Sequence, residues 1–223
     1  MKRKTKTTMP TRRDPARVKA VFTADIVGST QHAPEETQWQ LTSLISALDR
    51  EVSWILHPEI YRGDSFQGVL ASTEEMLRTA ILARALMKQQ GPKWDLRIAM
   101  GVGTIDRLTD RSGTSDGEAF RLSGQRIDKM KAERARIAIA FSRPSDPIDA
   151  LLILVESVVE KWTPAQAGVI VKLLKGKTMS EAAKALNISQ SAVSQHAQAA
   201  KWWAIEPVIK TFDQLLKPYY HHV

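Results

Sequence analysis

The sequence predicts an α+β protein, with a ferredoxin-like antiparallel sheet that has helices on one face, followed by an all-α domain. Over residues 18–141, apolar β-branched segments alternate with amphipathic helical segments in the order β-α-β-β-α-β-α-β. A hairpin between two helical crossovers is typical of that sheet. From residue 162 onwards, only helix starts and helical periodicity remain. Together these observations predict the fold class.

Length and composition exclude several other classes of protein. The chain has 223 residues, of which 43% are apolar and 25% charged, as in ordinary globular proteins. The absence of cysteine excludes disulfides and thiolate metal sites. No apolar run approaches the ~20 residues that span a bilayer, and residues 1–17 lack the apolar region of a signal peptide. We therefore expect a soluble, cytoplasmic protein without membrane contact.

Charge and composition divide the chain into four segments. We predict a basic, disordered tail at 1–17, the sheet domain at 18–143, a connecting helix at 148–161 and a helical domain at 162–223. The net charge is +8, and the positive excess lies at the two ends. Nucleic-acid contacts are often distributed in this way. The alternative for the tail is a solvated stretch that only aids solubility.

The first half of the sheet domain begins with a buried strand at Val18–Val27, which stops at Gly28-Ser29-Thr30. Apolar residues from Leu41 to Ile55 then follow helical spacing, and the next proline is expected to end this helix. Two short strands, 59–62 and 66–71, join at Gly63-Asp64-Ser65 and predict a hairpin.

The second half continues the alternation. We predict a helix at 73–90, a strand at 94–104, a polar loop at 106–116, a helix at 117–133 and a last strand at 135–141. Two glycines in the strand at 94–104 indicate that another part of the protein approaches its backbone closely.

Two aspartates are expected to converge at the centre of the sheet. Asp25 lies near the end of the first strand and Asp64 in the hairpin, and these strands should be neighbours. Two carboxylates can share Mg²⁺ or Mn²⁺ together with substrate phosphates. Gly28, Ser29 and Thr30 could offer backbone N–H groups and hydroxyls to a phosphate at the start of the first helix. The alternative is that both aspartates are ordinary turn residues.

Four segments carry a family resemblance. In their order and spacing they resemble the SatD family and, more remotely, the catalytic domain of class III nucleotidyl cyclases. The resemblance implies a palm-type fold, a nucleoside triphosphate ligand, and Asp25 and Asp64 as the metal-binding pair. If the chain is an enzyme, the same two aspartates are its catalytic residues. The segments are Phe22–Thr30, Tyr61–Gln67, Leu96–Gly103 and Gly117–Phe120.

The chain departs from the cyclase pattern in the helix after the last of these segments. Where cyclases have an Asn and, four residues later, an Arg, this chain has Arg121 and Gln125, with Arg126 one position beyond. Loss of the Asn that orients the ribose favours nucleotide binding without turnover, because positioning supplies much of the rate of phosphoryl transfer. Arg121 and Arg126 are candidates for phosphate contacts; the alternative is a solvated helix face.

The C-terminal segment predicts a helix-turn-helix. Thr163 and Thr178 each begin a capping-box pattern, and Ser189 caps a third helix. The stretch Met179–Ala200 resembles the helix-turn-helix of bacterial regulators and sigma-factor-like domains. Its outward amides and hydroxyls are of the kind that read base edges in DNA. The alternative is a small packing module whose outward face is only hydrated. The predicted DNA-contacting residues are Gln190, Ser191, Ser194, Gln195 and Gln198.

Apolar residues from Trp202 to Leu216 follow at helical spacing and are expected to pack on the helical module or to form a dimer contact. We expect His196 to be a surface or packing residue. His221 and His222 are given no metal, because no further ligands accompany them.

These observations predict a DNA-binding regulator in which a palm domain binds a nucleotide with Mg²⁺ or Mn²⁺ and a helix-turn-helix binds DNA. A homodimer is expected, since operator half-sites often mirror protein two-fold symmetry. The alternative is an active nucleotidyl cyclase or nucleotidyltransferase-like enzyme that releases pyrophosphate. A third possibility is a scaffold whose palm has lost its ligand.

Overall fold

A five-stranded sheet flanked by helices organises residues 18–220, the part of the chain that this computed structural model describes. The tail predicted at 1–17, His221 and His222 lie outside the described residues. Within 18–220, no helix is both long and apolar enough to cross a membrane. The strands are β1 (Val18–Ile26), β2 (Trp54–Arg62), β3 (Ser65–Leu70), β4 (Leu96–Thr104) and β5 (Ile137–Ala140). The helices are α1 (Pro34–Asp49), α2 (Met76–Lys88), α3 (Glu118–Met130), α4 (Asp146–Val159), α5 (Pro164–Leu174), α6 (Met179–Leu186), α7 (Gln190–Ala199) and α8 (Trp202–Tyr220).

The strand order is β2-β3-β1-β4-β5. Its first four strands, connected as β-α-β-β-α-β, have the ferredoxin-like order, and the predicted α+β class is confirmed. Strands β1 to β4 pair antiparallel. The expectation of an antiparallel sheet is wrong at one edge, where β5 pairs parallel to β4. The helical crossover through α3 brings the chain back to run in the direction of β4, as parallel pairing requires.

Helices cover both faces of the sheet, so the prediction of helices on one face is wrong. Along β1, Phe22 packs in the cluster that contains α1 and α2, whereas Val21 packs with Ala119 of α3 on the opposite face. A Cβ on Gly101 of β4 would lie 2.1 Å from the Ala119 carbonyl oxygen and 2.5 Å from the Ser123 nitrogen. Only glycine allows α3 to approach this closely, and the predicted close approach to β4 is thereby explained.

The segment between α1 and the hairpin differs from its prediction. Helical spacing from Leu41 to Ile55 predicted one helix, but α1 begins at Pro34 and ends at Asp49. Ile55 lies in β2, which continues through Pro58. β2 is an edge strand with irregular register to β3 on both sides of Pro58, and an edge strand tolerates the missing N–H of proline.

The C-terminal helices pack directly on the sheet domain. The Arg78 guanidinium of α2 donates a hydrogen bond to the Leu174 carbonyl of α5 (2.8 Å), and Lys175 pairs with Glu51 (2.8 Å). The main buried cluster includes α5 and α8 as well as the sheet, and therefore crosses the boundary predicted at residue 162. The division of the chain into two domains stays a prediction.

Helix α8 reaches back to the sheet domain. The Tyr219 ring stacks on Phe141, with centroids 4.8 Å apart, and Arg143 donates a hydrogen bond to the Pro218 carbonyl (2.6 Å). The sequence predicted that α8 packs on the helical module or forms a dimer contact. Its contact with the sheet domain was not predicted. The apolar stripe of α8 serves this contact through Phe212 and Leu216, which are fully buried.

Candidate functional site

Asp25 is a buried carboxylate on the face of the sheet that α3 covers. It follows Thr23 and Val21 at a period of two, which places all three on that face. Arg97 of β4 lies directly across from it in the β1–β4 register. The Nη1 of Arg97 donates to both carboxylate oxygens of Asp25, at 2.8 and 3.0 Å. Asp25 is only 4% exposed, so this pairing is shielded from solvent.

Asp64 lies beside Asp25, as the sequence predicted. Its backbone carbonyl accepts a hydrogen bond from the Ile26 N–H (3.1 Å), which fastens the hairpin to the end of β1. Its carboxylate accepts hydrogen bonds from the Ser29 hydroxyl (2.5 Å) and the Ser65 hydroxyl (3.1 Å). The structure thus brings Asp25, Asp64 and Ser29 to one end of the sheet.

The surroundings of Asp25 shift the pKa of its carboxyl upward. Burial raises the pKa of the Asp25 carboxyl above its ordinary value. The Arg97 guanidinium acts in the opposite direction, and the negative charge of Asp64 adds to the rise in pKa. Asp25 therefore holds a proton more readily than a solvent-exposed aspartate does.

The Gly28-Ser29-Thr30 segment forms a tight turn and does not begin the first long helix. Gly28 has a φ of 67°, a left-handed conformation that favours glycine, and precedes a single 3₁₀ turn at Ser29–Gln31. Helix α1 begins only at Pro34. These residues therefore do not lie at the start of that helix, contrary to expectation, and their role in phosphate binding stays a prediction. Ser29 contacts Asp64, whereas Thr30 is exposed.

Arg121 and Arg126 are engaged elsewhere. Arg121 pairs with Asp106 (3.3 Å) and Asp116 (2.9 Å) in the loop after β4, at the opposite end of that strand from Arg97. Arg126 pairs with Glu133 at 2.8 Å. The structure therefore does not bring either arginine to the two aspartates. The role of Arg121 and Arg126 in phosphate binding stays a prediction.

Arg97 is the site residue that sequence reasoning missed. It is the one charged residue in the strand Leu96–Thr104. A cation in an otherwise apolar, buried strand needs a partner, since an unpaired buried charge is costly. Asp25 is the one acidic residue of β1, a strand that is buried along almost its whole length. This complementarity of charge could have indicated the pair.

The residues present do not fit a resident divalent cation in this arrangement. Both oxygens of Asp25 are bound by Arg97, whose guanidinium already supplies the counter-charge, and the Asp64 oxygens accept from two hydroxyls. Among residues 18–220, no three or more Asp, Glu, His or Cys side chains are grouped as a metal site. Mg²⁺ requires near-octahedral oxygen coordination, which a paired carboxylate does not offer. Metal binding at Asp25 and Asp64 stays a prediction.

The α6–α7 pair has well-defined ends. A three-residue turn, Asn187 to Ser189, joins the two helices, and Asn187 adopts the left-handed conformation with a φ of 54°. The Thr178 hydroxyl accepts from the Glu181 N–H in a capping box, and Ser189 caps α7 through the Ala192 N–H. Small and branched side chains from α5, α6 and α7 close the core of the unit: Val169, Ala182, Ala183, Val193 and Ala197.

The outward face of α7 is polar along its whole length. All five residues predicted to face outward are exposed, and the intervening Val193 and Ala197 are buried. His196 is half-buried. The outward residues are Gln190, Ser191, Ser194, Gln195 and Gln198.

Comparison with known proteins finds likeness to solved structures but no match of sequence. No family model matches the chain, and no curated protein matches it. The active GGEEF domain of a diguanylate cyclase from Vibrio cholerae is similar in structure, with a TM-score of 0.42 and 18% sequence identity. The similarity covers 58% of this chain and 85% of the cyclase domain.

Proposed function

We propose that the protein binds DNA through the outward face of α7. The observation that carries this proposal is the exposed row of amides and hydroxyls on a short helix that follows a three-residue turn. Glutamine side chains pair with adenine edges in the major groove, and serine hydroxyls donate to or accept from several bases. A helix held only by its buried side leaves this row free to enter a groove.

Charge around the two helices supports the proposal. Lys177 precedes α6, Lys184 lies within it and Lys201 follows α7, and all three are exposed. Lysines at such positions contact phosphates and orient the reading helix without selecting a sequence. We therefore expect α7 to recognise the bases and the surrounding lysines to bind the phosphates.

The test begins with selection from a random duplex library, followed by fluorescence anisotropy on the selected DNA. Gln190→Ala and Gln195→Ala should each weaken binding to that DNA by ~1–3 kcal/mol. Lys184→Ala should weaken selected and unselected DNA about equally and reduce the salt dependence of binding. Gln214→Ala, an exposed glutamine on α8, is the matched control and should leave binding unchanged.

Failure of either glutamine variant to weaken binding would remove α7 as the reading helix. Absence of any salt-dependent binding to the library would reject DNA as the ligand. Thermal unfolding of each variant separates these results from misfolding, because exposed glutamines contribute little to stability.

The sheet domain carries the second part of the predicted function, binding of a nucleoside triphosphate with Mg²⁺ or Mn²⁺. Titration calorimetry with ATP and GTP in the presence of Mg²⁺ tests this prediction on the wild type and on Asp25→Ala. Incubation with the four triphosphates tests the enzymatic alternative, which requires pyrophosphate release that Asp64→Ala abolishes. Because Arg97 occupies both carboxylate oxygens of Asp25, heat that depends on both the metal and Asp25 would show that this ion pair opens to admit the metal.

A further inference from the structure

The outward face of α4 is apolar at its centre. Ile153 and Leu154 are each 65% exposed, while the opposite face of the helix is buried through Leu152 and Val155. A surface helix ordinarily directs polar residues outward. A pair of large branched side chains exposed together in the middle of a helix therefore indicates an interaction surface.

The same face has small residues next to its centre and opposite charges at its ends. Ala150 and Ser157 lie about one turn on either side of the central pair. Asp146 begins the helix, and Lys161 lies just beyond its end, where its N–H still bonds to the Val158 carbonyl. At 3.6 residues per turn these positions fall on one stripe. All six residues of the stripe are exposed: Asp146, Ala150, Ile153, Leu154, Ser157 and Lys161.

We infer that this stripe is the interface between two copies of the chain, with α4 packed antiparallel against α4 about a two-fold axis between Ile153 and Leu154. In this register Asp146 faces the partner's Lys161, and Ala150 faces the partner's Ser157. The two-fold axis therefore creates two Asp146–Lys161 ion pairs between the copies, and the small residues let the two helices approach closely. A stripe that is complementary to itself under a two-fold rotation is what an isologous dimer needs.

The surface beside the stripe extends this contact. An open groove of about 590 Å³ lies between α4 and α8. Stable interfaces bury roughly 800 Å² on each partner, so a dimer needs apolar surface beyond one helical stripe. The groove provides it through Pro147, Leu151, Leu215 and Tyr219.

The basic tail at 1–17 is a rival occupant, but its composition fits less well. It is rich in Lys and Arg and has few large apolar residues. Such a segment could neutralise Asp146, yet it has little with which to cover Ile153 and Leu154. The inference bears on the proposed DNA binding, because a two-fold dimer would present two α7 helices to two half-sites. The dimer itself is measured without DNA.

Sedimentation velocity of the full chain across a wide concentration range is the first test. The wild type should reach twice the chain mass of 24.9 kDa. Ile153→Lys should weaken the dimer ~30-fold or more, because the change occurs twice at the centre of the interface. Ile55→Lys, at an isoleucine that is 40% exposed on the edge strand β2, should leave the dimer unchanged.

Charge exchange tests the register. Asp146→Lys and Lys161→Asp should each weaken the dimer, and the double variant should restore it. These residues are exposed, so circular dichroism should report unaltered folding. Restoration would not occur if the charges acted only within one chain.

Cross-linking gives an independent readout, because the chain has no native cysteine. Ala150→Cys combined with Ser157→Cys should form a disulfide-linked dimer on mild oxidation, and each single variant should form much less. The inference is overturned by a wild type that stays monomeric, by a dimer indifferent to Ile153→Lys, or by single variants that cross-link as readily as the double variant. If the tail covers the stripe instead, the wild type stays monomeric, which also overturns the inference.

Discussion

Replacing Arg97 by methionine removes the counter-charge of Asp25 while keeping most of the side-chain volume. The carboxylate of Asp25 is then left 4% exposed without the two contacts, at 2.8 and 3.0 Å, that Arg97 supplies. Removal of one partner of a buried ion pair costs ~3–5 kcal/mol. We therefore expect Arg97→Met to lower the free energy of unfolding by about that amount at pH 7.

The pH dependence of this loss identifies its cause. Burial already raises the pKa of Asp25, and removal of Arg97 raises that pKa further. A carboxyl whose pKa is higher in the folded than in the unfolded state takes up a proton on folding. Its ionised form therefore destabilises the protein above the folded pKa, and the penalty fades as the pH falls through that pKa. The loss in Arg97→Met should be smaller at pH 5 than at pH 7.

Urea unfolding followed by circular dichroism at both pH values measures these free energies. The double variant Asp25→Asn/Arg97→Met removes both charges of the ion pair and should be less destabilised than Arg97→Met, with a smaller dependence on pH. Equal losses for Arg97→Met at pH 5 and pH 7 would refute the reasoning, because a packing defect alone has no such titration.

Three further changes test contacts that hold the sheet domain and the α6–α7 pair in place. Burial alone would raise the pKa of Asp95, but Arg84, which is fully buried, holds the pKa below its usual value. Asp95→Ala should lower the free energy of unfolding, measured with urea at pH 7, by ~3–5 kcal/mol. The loss should shrink as the pH falls through the pKa of Asp95 in the folded protein. A loss below about 1 kcal/mol at pH 7 would contradict the Arg84–Asp95 ion pair. Gly101→Ala should cost ~3 kcal/mol or more, since its Cβ would meet backbone at 2.1 Å. Its control Gly124→Ala, with open space at its Cβ inside α3, should gain ~0.5–1 kcal/mol. Thr178→Ala should lose ~1 kcal/mol by removing the α6 cap, and an unchanged urea midpoint would exclude that role.

Much of the helical unit could be predicted from the sequence because its signals are local. Thr163, Thr178 and Ser189 are read as caps from the residues that follow them, and the structure places each side-chain hydroxyl on the expected N–H. The exposure of the outward residues of α7 follows from the helical period in the same way. The Gly63-Asp64-Ser65 hairpin is likewise local, since turn residues specify it.

Local signals failed where tertiary contacts competed with them. Val52 and Ile55 continued the helical spacing of α1, yet the chain leaves the helix after Asp49 and pairs as β2. Pro58, expected to end a helix, lies within that strand instead. The edge position that makes proline tolerable is a property of the assembled sheet, and no short window of sequence contains it.

The amino-acid order by itself determined the strand and helix alternation, the capped helices and the polar face of α7, because each depends on neighbours a few residues apart. Tertiary structure alone decided the state of the two aspartates. Asp25 and Arg97 are 72 residues apart, and only the β1–β4 register places them opposite each other. The β1–β3 pairing brings Asp25 to Asp64, whereas the β1–β4 pairing supplies the guanidinium of Arg97. Burial of Asp25 makes that counter-charge necessary.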